Sequence, residues 1–484
     1  MKSSLPNPIQ QSSPSGEFSD VPSSTADFAV LLFFLGCLIS LTACSSPTAT
    51  DDPVSETKPT QQTAEPAPEV DPEPDIAPEP DAVGEPDDAP SACDELQAKA
   101  SADPLLPDLL DQYLSEGPRA LLEDPQAHRF QLLVGEVVDI DDDTTCLVQH
   151  GFRVDAEYFY PASSIKTVAS IAALQKLAQS ADLDLDARLW FHNPDDFEEL
   201  PDLIDDTGFE PEPFDTLRNI IDDTQIVSSN PGYNRLFDLA GHEALNRIGW
   251  QAGLESLRLR HRFFSDRTPT QEKWSPRITI ERETDRDGES VLRVIAPPRQ
   301  SKLELPPIDV EGLMVGESYI ESRQVIDEPM DFSSMNYLSL ADHQRLMVAI
   351  FRPELDKRAH FQGLDDDHVE LLRQSMLRDP EEFASHRGYN LGDGVERRFK
   401  AALPGISEVL SRESVRYYNK GGRAYGFHVE NAYIVHEESQ RALFVTAVAY
   451  VNENRRLNDD VYEYDEISFP FFHDLGQMIA NEFL

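Results

Sequence analysis

From about residue 94 the chain alternates between two hydrophobic rhythms. Apolar positions recur at helical spacing in "PLLPDLLDQYLSEGPRALLED" (104–124), which Gly117-Pro118 interrupts. "RFQLLVGEVVDI" (129–140) and "CLVQHGFRV" (146–154) are rich in β-branched and apolar residues, and the polar "DIDDDTT" between them predicts a hairpin turn. "IKTVASIAALQKLAQS" (165–180) predicts a buried helix, with an apolar body and neither Gly nor Pro. Further helices are expected over 214–227, 233–241, 243–254, 339–351 and 365–377. Strands are expected over 414–422, 431–439 and 441–452, and a last helix over 469–484. Two strands, a run of helices, three strands and a helix describe an α+β domain of residues 93–484. Its single sheet is interrupted by an all-helical subdomain. Residues 257–334 are less regular and look inserted, with Asp287-Gly288 marking a hairpin.

The first 92 residues follow neither rhythm. The apolar run Phe28–Ala43 is 16 residues, the length of a signal peptide and short for a membrane span. It ends in Leu41-Thr42-Ala43-Cys44, which resembles the bacterial lipobox, whose cysteine is lipidated and becomes the mature N-terminus. The preceding segment departs from that pattern, having Lys2 as its one positive charge against Glu17, Asp20 and Asp27. An uncleaved anchor is the alternative. Residues 45–92 are a proline-rich acidic tether; from Asp51 to Ala92 there are 13 acids and ten prolines. Such a segment buries too little apolar surface to offset its chain entropy, and extended it spans on the order of 100 Å. The expectation is a lipoprotein of the bacterial cell envelope, held in a membrane (the outer one first) by lipid alone, with its domain in the periplasm or outside.

Charge narrows the partners. With 41 basic and 89 acidic residues the formal net charge is -48, which argues against nucleic acid and against anionic lipid surfaces. An EF-hand loop starting at Asp139 would need glycine at Thr144 and glutamate at His150, so calcium is not expected there. No His-rich or Cys-rich cluster suggests a metal, and no glycine-rich phosphate loop suggests a nucleotide, so no cofactor is expected. If Cys44 carries lipid, Cys93 and Cys146 remain, either as a disulfide or as two free thiols.

Three short patterns bear chemistry. Ser163-Ser164-Ile165-Lys166 stands at the start of the buried helix, where Ser is also an ordinary N-cap. Ser228-Ser229-Asn230 lies between two helices, where it also suits a turn. Lys420-Gly421-Gly422 lies on or beside a strand, where glycine also marks a bulge. Each alone is weak. In this order and context they resemble the penicillin-recognising serine hydrolases, most closely the class A β-lactamase group, with its Ser-x-x-Lys, Ser-Asp-Asn and Lys-Thr-Gly motifs. The resemblance covers roughly residues 100–484 without the insertion. It implies an antiparallel sheet flanked by helices.

A serine hydroxyl needs an adjacent base, and positions i and i+3 put Ser163 and Lys166 on one helical face. Partial burial would lower the lysine pKa toward a useful range. The resemblance implies that Ser163 forms an acyl-enzyme, and that Ser228 and Lys420 pass a proton to the leaving nitrogen and orient a substrate carboxylate. It further implies that Asn230 binds a substrate amide and supports Lys166, and that the backbone N–H groups of Ser163 and Arg423 hold the oxyanion. Gly422 completes the third motif.

Several positions depart from the pattern. Ser229 replaces Asp, and Gly421 replaces the Thr or Ser that helps grip a carboxylate, for which Arg423 or Tyr425 is the candidate substitute. The deacylating Glu-x-x-Leu-Asn is absent; Glu272, Glu281, Glu283 and Glu289 occur in its expected region without the motif. Acylation is therefore better supported than fast hydrolysis. The expected activity is hydrolysis of a β-lactam or related amide by a monomer. The alternatives are a D-alanyl-D-alanine carboxypeptidase or transpeptidase acting on peptidoglycan peptides, and a non-catalytic binding lipoprotein.

Overall fold

The computed structural model describes residues 91–484 apart from 103, 181–182, 193–214, 266 and 285–289. The leader, Cys44 and nearly all of the tether lie outside the described residues.

In chain order, α1 (Ala92–Ala102) and α2 (Leu106–Tyr113) lead into the hairpin β1 (Gln131–Asp139) and β2 (Thr145–Phe152). α3 (Lys166–Ala178) follows, then β3 (Arg188–Phe191) and β4 (Asp215–Thr216), and then α4 (Leu217–Ile226), α5 (Asn230–Ala240) and α6 (His242–Gln251). The hairpin β5 (Ile278–Thr284) and β6 (Ser290–Ala296) precedes α7 (Leu340–Phe351) and α8 (Asp366–Leu377). β7 (Val415–Asn419), β8 (Gly422–Ala424), β9 (Phe427–His436), β10 (Arg441–Tyr450) and α9 (Phe469–Glu482) close the fold.

The main sheet is antiparallel in the order β7-β9-β10-β1-β2, with β8 also on β9. Chain ends thus meet at its centre, where Val134 pairs with Val445. Strand alternation sends side chains to two separate cores. Leu133, Tyr433 and Phe444 join the core with α3, α5 and α7, while Leu132, Val134, Ile434, Leu443 and Val445 pack with α2 and α9. Both faces are covered, so these strands read as almost continuous apolar runs. A disulfide joins Cys93 of α1 to Cys146 of β2, with Cα atoms 5.3 Å apart.

Two features differ from the expectation of one sheet and long helices. The 257–334 hairpin builds a second sheet, ordered β4-β3-β5-β6, on the four-residue strand β3, which was too short to show a rhythm. Between α8 and β7 run three short helices, Pro380–Arg387, Val395–Phe399 and Leu403–Val409, which the sequence did not announce.

Candidate active site

The first motif is not simply a capped helix. Ala162–Ile165 form a 3-10 turn ahead of α3, no side chain caps either element, and Ala162 is held at φ +48°. The two serines of the turn have different environments. Ser164 is buried, and its Oγ lies 2.7 Å from His343 Nε2. Burial pushes His343 down to about 4, so the ring is neutral; its Nδ1–H donates to the Ser339 carbonyl at 2.9 Å. Nε2 is then an acceptor, and the one Ser164 hydroxyl proton is shared between it and the Pro161 carbonyl, also 2.7 Å from Oγ. Ser163 is partly exposed, lines the cleft, and its hydroxyl has no hydrogen-bond partner among the described residues.

Lys166 lies beneath the turn, fully buried. Its Nζ donates to the Ser228 carbonyl and to Asn230 Oδ1, each at 2.5 Å, with Ser228 Oγ at 3.3 Å. The Phe263 ring lies 4.9 Å away. Burial, and secondly the nearby charge of Lys420, hold its pKa well below the usual lysine value. As an ammonium, Lys166 can donate in all three of these contacts; on losing a proton it would keep two N–H bonds for the short ones and gain a lone pair. No hydrogen bond joins Lys166 to Ser163 in this state, although the spacing alone suggested direct contact.

The second motif presents its oxygens through backbone shape. α4 ends at Ile226 and α5 begins at Asn230, and Ser228 between them adopts φ +58°. Ser229 caps α5 by accepting from the Gly232 N–H at 3.0 Å. The middle residue thus serves the helix, as the ordinary reading of the motif would have it. Ser228 Oγ accepts from Lys420 Nζ at 2.9 Å, and Lys420 also donates to the Gly421 carbonyl at 2.9 Å. Burial pushes Lys420 down to about 7, against an opposing pull from Glu430.

The third motif lies where the ladder pauses. β7 and β8 share one register on β9, with Asn419 opposite Ala432 and Gly422 opposite Val429, so Lys420-Gly421 interrupts a single strand. Glycine at 422 is required by close approach: an added Cβ would lie 2.3 Å from Ser163 N and 2.8 Å from Ser164 N. At Gly421 it would meet the Val429 carbonyl at 2.8 Å. Arg423 follows, its guanidinium 4.7 Å from the Phe469 ring. Tyr425 and Gly426, both at positive φ, form the two-residue turn into β9.

Ser163 lines two cavities. The larger, about 1140 Å³, is walled by Tyr160, Asn230, His261, Phe263, Phe264 and Tyr425. The smaller, about 140 Å³, extends past Lys420. Residues of the 257–334 segment therefore form part of the cleft wall. They are fastened by Arg262, which is buried between Asp238 and Glu272 at 2.6 Å from each. Glu272 is thus committed to an ion pair. Glu289 lies outside the described residues, as do the side chains of Glu281 and Glu283. Sequence reasoning missed His343, Phe263 and this buried cluster; His343 had no signal beyond one histidine in an apolar helix.

Ser163, Lys166, Ser228, Asn230, Lys420, Gly422 and Arg423, spread over 260 residues of chain, thus meet around one cleft. Residues 137–297, which include the first two motifs, match the model of the beta-lactamase enzyme family. The segment that carries the first two motifs is thus that of a penicillin-recognising serine hydrolase. Similar solved structures of such hydrolases include PBP-A, at 14% identity over 78% of this chain and 95% of that one, TM-score 0.43. A beta-lactamase from Francisella tularensis is 12% identical over 77% and 98%, TM-score 0.40. A class A beta-lactamase from Bacteroides cellulosilyticus is 12% identical over 78% and 98%, TM-score 0.40. No curated protein matches the sequence. In this serine hydrolase the third motif lies beyond the matched residues, and the main sheet brings it to the other two.

Proposed function

We propose that Ser163 is acylated by a β-lactam or by a related amide such as a D-alanyl peptide. The observation that carries this is the contrast at the turn: Ser163 is open to the cleft and unpartnered, above a buried lysine of depressed pKa. The Ser163 hydroxyl proton passes to the Lys166 lone pair as Oγ bonds to the substrate carbonyl carbon. Lys166 and Lys420 both contact Ser228 Oγ, which relays the proton to the leaving nitrogen as the C–N bond breaks. Lys420, when protonated, holds the substrate carboxylate. Water then releases the acyl group.

The D,D-peptidase or transpeptidase is the second reading, and the acids of the large cavity bear on it. Glu272 is buried in its pair with Arg262 and Glu304 pairs with Lys273 at 2.5 Å, which leaves Asp460 as the third lining acid and the candidate to activate water. We further propose that Cys44 carries lipid and that the domain acts in the bacterial envelope; loss of acyl-chain labelling in Cys44→Ser tests this.

Acylation is tested by intact mass with penicillin G, alongside turnover of a chromogenic cephalosporin. A persistent adduct on Ser163 with slow turnover supports the peptidase, and rapid turnover supports the β-lactamase. No adduct, with Ser163→Ala behaving identically, refutes acylation. Lys166→Ala acylating at the native rate refutes the base assignment.

A further inference from the structure

The small recess beside Ser163 has an unusual electrostatic character for this chain. Lys420, Arg423, Arg378, Arg398 and Lys400 line it, and no acid does, although the whole protein carries a net charge of -48. Arg378 is the one of these with an ion pair, to Asp222 at 3.1 Å. The other four have no ion pair among the described residues. Arg398 donates to the Leu391 carbonyl, while its buried Nε has no hydrogen-bond partner. Lys400 is buried, and its Nζ donates to the Met376 and Tyr417 carbonyls and to Asn419 Oδ1. Two buried acids stand outside the lining: Asp222, paired with Arg378, and Glu430, which accepts from Asn419 Nδ2 at 2.6 Å and the Ala401 N–H at 3.0 Å.

One substrate carboxylate at Lys420 leaves most of this charge unused. Asp222 and Glu430 offset part of this charge from outside the lining; crowding the remaining cations in a low-dielectric recess is still costly, and an anionic ligand relieves that cost. We propose that the leaving group of the substrate carries two anionic groups, as an acidic amino acid does: one at Lys420 and Arg423, the second at Arg398, whose Nε–H is the unpartnered donor, while Lys400, with all three N–H bonds engaged, adds charge alone. A volume of about 140 Å³ suits a short dicarboxylate and excludes a bulky one. Burial pushes Lys400 down to about 8 and Lys420 down to about 7, so an anion in the recess would favour their charged forms. This inference rests on the acyl-transfer reading for the meaning of "leaving group", but the binding it requires is measurable without catalysis.

Glutarate and butyrate are titrated calorimetrically into the full-length Ser163→Ala protein at low ionic strength. Glutarate is expected to bind at least tenfold more tightly. Arg398→Gln, and separately Arg398→Ala, are expected to bring the two ligands within threefold of each other. Thermal unfolding and butyrate affinity report whether each variant is folded. Equal affinity for the two ligands, or a glutarate preference untouched in folded Arg398→Gln, overturns the inference. Ser163 acylation by penicillin, read by mass on the native serine, decides the acyl-transfer reading independently.

Discussion

Substituting alanine at Gly422 tests how the strand positions the nucleophile. The added Cβ would stand 2.3 Å from Ser163 N, 2.8 Å from Ser164 N and 3.0 Å from the Pro161 carbonyl, all backbone atoms of the 3-10 turn. No side-chain rotation relieves this contact, so strand and turn must separate by about 1 Å to reach ordinary van der Waals distance. Overpacking of this kind costs about 1–3 kcal/mol of stability. The larger effect is on chemistry, because a displacement of about 1 Å in a reacting group costs on the order of 100-fold. The assay is the second-order rate of Ser163 acylation by a fluorescent penicillin, with the thermal midpoint measured in parallel. Gly388→Ala is the control: it stands at φ +75° with nothing within 4 Å of its Cβ, so it loses about 1–2 kcal/mol through strain alone. Gly422→Ala should acylate about 100-fold more slowly, while Gly388→Ala keeps the native rate. Acylation of Gly422→Ala within threefold of native refutes the claim that this contact fixes the serine.

Four further outcomes are expected. His242 and His343 are each pushed down to about 4 by burial, so between pH 4 and 6.5 the unfolded chain binds more protons than the folded one. Stability therefore falls as pH drops through that window, by on the order of 3 kcal/mol per histidine, and urea unfolding at pH 7 and pH 4.5 measures it; an unchanged midpoint contradicts the neutral His343. Lys400 and Lys420 act in the same sense at higher pH, so stability continues to rise from about pH 7 toward 10. Cys93→Ser with Cys146→Ser opens a loop of sequence separation 53 and should cost up to about 4 kcal/mol in chemical denaturation; no change would show that the bridge does not constrain the unfolded chain. Arg262→Met leaves Asp238 and Glu272 buried without their shared cation and should cost about 3–5 kcal/mol; a loss below 1 kcal/mol would contradict the burial of that cluster.

Much of the frame was legible because its strands and helices are long enough to show a period. β1, β2, β9, β10, α3 and α7 each run for eight residues or more, the first motif stands at the start of α3, and the three motifs follow in a recognisable order. The basic recess was not legible. Arg378, Arg398 and Lys400 come from a stretch of short helices, and their shared orientation arises only when that stretch folds against β7. The route from Lys166 to Ser228 was hidden for another reason. It depends on a serine at positive φ, a backbone state that no residue pattern declares. The second sheet escaped notice because β3 is four residues long and pairs with a hairpin some 90 positions away.

The division of labour around Ser163 has a consequence for how this enzyme can diversify. The turn, the lysines and Gly422 belong to the main sheet and its packed helices, whose spacing tolerates almost no change. Part of the broad wall of the cleft is instead supplied by residues 257–334, whose attachment runs through Arg262 and its two carboxylates. Replacing the exposed loops of that segment while keeping Arg262, Asp238 and Glu272 would, on the proposed acyl-transfer reading, recast the acyl-side specificity without disturbing Ser163, Lys166 or Lys420. The molecule is in this sense a fixed engine with an exchangeable face.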